Sequence, residues 1–117
     1  MRRKSEEHGE QVQVFRAVDE RIVPNAFVFA IETGGARIKS EAVRLRARGV
    51  RAGTPDICAI YQGTARFIEM KRERGGVVSD AQNYVHALIR AAGCEVVVCA
   101  GAAEAIAKLT EWGILRS

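Results

Sequence analysis

The stretch from Thr54 to Arg72 allows few folds. Two apolar runs of strand length, Asp56 to Tyr61 and Arg66 to Arg72, are separated only by Gln62-Gly63-Thr64-Ala65. A connection that short makes an antiparallel hairpin. Asp56, Glu69 and Lys71 fall inside or at the edge of those runs, within sixteen residues. Carboxylates and ammonium groups are rare in such settings unless they are paired or hold a metal. Residues two apart on a strand point to the same side, so Glu69 and Lys71 share a face with Phe67 while Ile68 and Met70 face the other layer. The short hairpin brings Asp56 beside the Glu69 end, with the register left open. Two adjacent carboxylates repel, and a hard cation relieves that cost by taking both as oxygen ligands. Mg²⁺ commonly takes one or two carboxylates and keeps several waters. Beside it, Lys71 could orient or deprotonate a water, or stabilise charge developing on phosphorus.

The remaining sequence surrounds this hairpin with helices and two further strands. Val14, Phe15, Val18 and Ile22 recur at helical spacing, with Gln11 on the same stripe, and predict a first helix from Ser5 or Glu6 to Arg21. Ala26 to Ile31 is a short apolar run of strand length, and Thr33-Gly34-Gly35 breaks it into a loop. Ser40 is placed to cap a helix over Glu41 to Arg48, which Gly49 closes. Ser79-Asp80-Ala81-Gln82 has the form of a capping box. The helix it starts carries Ala81, Tyr84, Val85, Leu88, Ile89 and Ala92 on one apolar face and ends at Gly93. Val96 to Cys99 is wholly apolar, as expected of a strand buried on both faces. A last helix is expected over Ala102 to Trp112, packing through Ala105, Ile106, Leu109 and Trp112. The order α-β-(α)-β-β-α-β-α describes one α/β domain over residues 1–117, with its core at about 6–112.

The 117 residues suit a single core, and 48% apolar with 27% charged residues is the balance of a folded domain. No apolar run reaches the roughly 20 residues of a membrane span, and the first residues lead into no secretory h-region. Cys58, Cys94 and Cys99 are odd in number and form no CxxC pair. They read as small core residues of a cytoplasmic, reducing compartment, in a bacterial or phage-infected cell. The net charge of +4 is unevenly placed. Arg37, Lys39, Arg44, Arg46, Arg48 and Arg51 stand against Glu41 alone in one short segment, leaving the rest of the chain near neutral. That is the footprint of a phosphate-backbone binder, or else a solvated helix face rich in arginine.

Pro55-Asp56, a spacer of twelve residues and Glu69-Met70-Lys71 resemble the PD-(D/E)xK nuclease signature. Taken with Gly49-Val50-Arg51-Ala52-Gly53-Thr54 before it, and Ser79-Asp80-Ala81-Gln82 and Ala91-Ala92-Gly93 behind, the string closely resembles the VRR-NUC (virus-type replication-repair nuclease) family from about Glu7 to Ala107. The resemblance implies a restriction-endonuclease-like domain, a central mixed sheet flanked by helices, and Mg²⁺- or Mn²⁺-dependent hydrolysis of DNA. It implies Asp56, Glu69 and the Met70 carbonyl as metal ligands, Lys71 as catalytic lysine, and Gln82 lining the site. The capping-box role of Gln82 is compatible with that one. Where related sequences often carry Pro-Asn before the paired glycines, this chain has Glu32-Thr33.

The family also places an acid on the first helix, for which Glu7 and Glu10 are candidates. At 100° per residue Glu7 falls near the centre of the apolar stripe and Glu10 roughly 95° from it, which favours Glu7. His8 and His86 are expected to be solvated helix residues. Arg37, Lys39, Arg44, Arg48 and Arg51 would hold the DNA backbone with little sequence preference. Stand-alone members resemble Holliday-junction resolvases, which implies a homodimer cutting a four-way junction. Two alternatives are a flap or nick nuclease subunit serving a replication or repair partner, and a non-catalytic DNA-binding module.

Overall fold

A computed structural model describes residues 2–33 and 39–117, with side chains from residue 7 onward. Four helices, α1 (Arg2–Arg21), α2 (Lys39–Ala47), α3 (Asp80–Ala91) and α4 (Ala102–Glu111), alternate with four strands, β1 (Ala26–Ala30), β2 (Ile57–Tyr61), β3 (Thr64–Lys71) and β4 (Glu95–Ala100). The expected element order holds. The sheet runs β1-β2-β3-β4. β1/β2 and β2/β3 are antiparallel, and β3/β4 are parallel. Parallel neighbours need a crossover, and α3 supplies it.

Ile57 pairs with Ile68 and Tyr61 with Thr64, so Asp56 lies across from Glu69 at the end of the hairpin. The loop is tighter than the four residues expected. Gln62 and Gly63, at φ 53° and 75°, make a two-residue turn whose twist matches the strands, and Thr64 and Ala65 join β3.

One face of the sheet carries the core. Val28, Ile57, Ala59, Ile68, Met70 and Cys99 pack with Val14 and Val18 of α1 and with Ala102, Ala105 and Leu109 of α4. Full burial of an Ile or Met such as Ile68 or Met70 stabilises the fold by about 1.5–3 kcal/mol each. Beyond α4 the chain returns to α1. Val23 N donates to Ile114 O, Arg116 N to Arg21 O, and Arg21 Nη2 to Thr110 Oγ1.

Several expectations need correction. α1 begins at Arg2, before the expected Ser5 or Glu6, because Arg, Lys and Glu favour helix without any apolar stripe. α2 begins at Lys39, so Ser40 sits within its first turn and is not its cap. β4 is buried on both faces only in part, through Val96 on the α3 side and Cys99 on the core side. It is the edge of the sheet, and Val98 stays 41% exposed while Val96 and Cys99 are buried. α3 is turned so that Tyr84 (68% exposed) and Leu88 (53%) face outward, and its one fully buried residue is His86.

Gly53 fixes how the loop before β2 meets α3. Its φ is +91°, and a Cβ there would lie 2.4 Å from the Ala81 carbonyl oxygen. Two backbones touch at this point, and only glycine admits the contact. Gly93 has a similar φ of +95° but open space around it. Gly93→Ala is therefore expected to cost about 1–2 kcal/mol from the left-handed backbone alone. Gly53→Ala is expected to cost roughly 3 kcal/mol or more, since overpacking is added. Urea unfolding of the two variants measures the difference.

Candidate active site

Glu69 is the centre of the site. The residue is 1% exposed, on the sheet face that α3 covers. Both carboxyl oxygens are engaged from α3, Oε2 by Gln82 Nε2 at 3.1 Å and Oε1 by His86 Nε2 at 3.1 Å. Gln82 has a second task. Its Oε1 accepts from Lys71 Nζ at 2.9 Å and from Ser79 N at 2.9 Å, while Ser79 Oγ accepts from Gln82 N. The capping box is thus formed, and the same amide joins Glu69 to Lys71.

Asp56 approaches from the other strand. Its Oδ2 accepts from Met70 N at 2.7 Å, where β3 continues beyond the end of β2. Its carbonyl accepts from Ile31 N, tying the start of β2 to the end of β1. Alternation does what the sequence predicts, since Ile68 and Met70 enter the core while Glu69 and Lys71 turn to α3.

Burial raises the Glu69 carboxyl from its ordinary range to about 9, reinforced by hydrogen bonding to Asp56 and by its charge. Lys71 opposes the shift and Glu7 adds to it slightly. His86 is moved down, first by burial and then by the charges of Arg90 and Lys71, with Asp56 acting against them. A neutral imidazole beside a carboxyl that keeps its proton is the consistent pairing at neutral pH.

The two acids of α1 separate cleanly. Glu7 lines a cavity of about 450 Å³ together with His8, Gln11, Phe15, Glu32, Asp56 and Met70. Glu10 faces elsewhere, its Oε1 accepting from Ala102 N at 2.8 Å and so capping the start of α4. Asp56, Glu69, Lys71 and Gln82 come together, and Glu7 and the Met70 backbone border the same region. His8 is exposed as expected, but His86 is not the solvated residue its composition suggested. It is fully buried on Glu69. The available signal was its spacing, one turn after Gln82 on the same ridge of α3.

The basic segment lies apart from the core. Lys39, Arg44, Arg48 and Arg51 are exposed, and among the described residues α2 buries none. Arg51 is held by its own neighbourhood, donating through Nη1 to Arg46 O. Arg37 lies outside the described residues. No helix among the described residues is long and apolar enough to cross a membrane.

A four-stranded mixed sheet with an acid at the start of one strand, an acid and a lysine on the next, and a glutamine helix behind defines a domain of nuclease type. The profile of the VRR-NUC domain matches residues 6–103. A solved "VRR_NUC domain protein" is similar to this chain at a TM-score of 0.76 and 18% identity, over 92% of this chain and 87% of its own. A second, a "VRR_NUC domain", gives 0.61 and 20% over 91% and 95%. No individually curated protein matches. The chain belongs to the VRR-NUC domain family.

The raised Glu69 carboxyl makes a stability prediction. The folded state keeps a proton that the unfolded chain releases near its ordinary value of 4.5. Stability is thus fully present below about pH 4.5 and is lost as pH rises toward 9. Urea unfolding of the metal-free protein at pH 5, 7 and 9 should show this decline, and Glu69→Gln should flatten it. An equal slope in both proteins would refute the assignment.

Proposed function

We propose that this protein is a metal-dependent, structure-selective DNA endonuclease, acting as a homodimer on four-way junctions. The observation that carries the nuclease reading is the placement of Asp56 across the hairpin from a buried Glu69, with Lys71 held beside it through Gln82. Two carboxylates brought this close repel one another, and a divalent cation would relieve that cost by taking both as oxygen ligands. The donor set fits Mg²⁺ or Mn²⁺: Asp56, Glu69 and the Met70 carbonyl are hard oxygen ligands. Among the described residues no group of three His, Cys, Asp or Glu is placed to hold a metal, so water would have to complete the coordination of such an ion. When bound, the cation would polarise the scissile phosphate and lower the pKa of a water.

The protein's own residues divide the remaining work. Gln82 fixes the Lys71 ammonium next to Glu69, where its charge would oppose the negative charge gathering on phosphorus. Glu7 adds a carboxylate on the Asp56 side of the cavity and would orient water. The expected products carry 5′-phosphate ends, as attack in line expels the 3′-oxygen. Lys39, Arg44, Arg48 and Arg51 would hold the backbone, so shape rather than sequence would select the substrate.

The dimer is supported by apolar surface on the sheet face opposite the main core. Phe27 (62% exposed) and Ile60 (40%) pair across β1 and β2 on the face that α3 partly covers, and Tyr84 and Leu88 stand open on α3. Exposed apolar groups gathered on one side of a domain are the kind of surface that association covers. A second copy would cover them and set two sites in two-fold relation.

Incubation with Mg²⁺ or Mn²⁺ and a four-way junction, a flap and a linear duplex tests the reading. Junction cleavage is expected, with Lys71→Ala losing it by at least about 100-fold. Glu7→Gln should be similarly impaired and Glu10→Gln close to wild type, since an amide oxygen still caps α4. Tight junction binding with no cleavage of any substrate would favour the binding module instead. Flap cleavage alone would favour the repair subunit.

Sedimentation equilibrium addresses the dimer separately. The wild type should be dimeric at micromolar concentration and Leu88→Glu monomeric. A strictly monomeric wild type would remove the paired-cutting proposal while leaving the nuclease intact.

A further inference from the structure

We infer that His86 is a positioning residue for Glu69, gripping the carboxylate from α3 together with Gln82. The inference rests on the reading of Asp56 and Glu69 as ligands of a divalent cation. Gln82 and His86 stand one turn apart on α3, and each places one nitrogen 3.1 Å from a different oxygen of the same carboxyl. A carboxylate gripped at both oxygens from one helix loses the freedom to rotate. Each oxygen still has a lone pair to offer.

The arrangement is costly enough to need a reason. An imidazole 1% exposed occupies a position where a leucine would add apolar burial. To place it there, α3 turns Tyr84 and Leu88 outward. Gln82 cannot hold Glu69 alone, because its oxygen is already committed to Lys71 and to the Ser79 amide. Its single Nε2 contact fixes only one carboxyl oxygen, and His86 fixes the other. Groups that orient a metal ligand without touching the metal commonly change affinity by about 10–100-fold.

The test measures binding of Mn²⁺ alone to the full chain by paramagnetic resonance titration, and then DNA cleavage as a function of Mn²⁺ concentration. His86→Leu should weaken Mn²⁺ binding by about tenfold or more, and cleavage should recover when Mn²⁺ is raised. His86→Gln, which keeps an N–H donor at similar reach, should stay close to wild type. Should the leucine variant fail to fold, His86→Met supplies an apolar side chain that adapts to an irregular space. Unchanged Mn²⁺ affinity in a folded apolar variant overturns the role of His86 and leaves the nuclease reading standing. Equal weakening in His86→Gln and His86→Leu also overturns it, because the hydrogen bond would then not be what matters. A wild type that binds no Mn²⁺ overturns the cation reading itself, and this inference with it.

Discussion

Holding the Glu69 carboxyl inside the protein is the constraint on which the arrangement of this domain depends. A buried carboxyl must keep its proton, be hydrogen-bonded, or meet a cation. Here burial and the nearby Asp56 favour the proton, while Gln82 and His86 satisfy both oxygens. Both partners come from a helix crossing the sheet at the Glu69 end. The parallel crossover between β3 and β4 places α3 there. Gly53 then lets the loop preceding Asp56 press against the first turn of the same helix. Strand, loop and helix are thus brought together at one side chain.

The same demand explains where the packing is incomplete. With Gln82 and His86 facing the sheet, α3 cannot also present its full apolar stripe. Val85 and Ile89 remain half-buried, and Tyr84 and Leu88 are released to the surface. The opposite sheet face has no such competing requirement, and its core with α1 and α4 is continuous. The domain therefore has one side governed by hydrophobic burial and another governed by polar geometry.

Much of this was legible in the sequence, and the limits have physical causes. Alternation on β3 correctly separated Ile68 and Met70 from Glu69 and Lys71, because a strand's period of two leaves no other choice. The helical wheel correctly set Glu7 and Glu10 on different sides of α1. It could not reveal what Glu10 does, since its partner Ala102 lies 92 residues away. The capping box at Ser79 was readable because its partners are three residues apart. His86 was misjudged for the opposite reason, as its burial follows from Glu69 on another element. The apolar reading of α3 failed alongside it, because counting apolar residues assigned the buried face to the wrong side chains. The valine run of β4 showed that residues on both faces are buried, Val96 and Cys99, but not that Val98 would lie open, because that depends on how far the covering helix reaches.

Glu10 has a mechanical meaning beyond capping. Its carboxylate joins the middle of α1 to the first turn of α4, and Gly101 just before that turn donates its N–H to the Lys71 carbonyl. A chain of backbone and carboxylate contacts therefore runs from α1 through the start of α4 to the strand bearing Lys71. Glu7, one turn away from Glu10, is indexed to the strand bearing Lys71 by this strut together with the core packing of Val14 and Val18. The first helix can thus carry an acid at the mouth of a cavity, facing water, without that acid having to hold its own place.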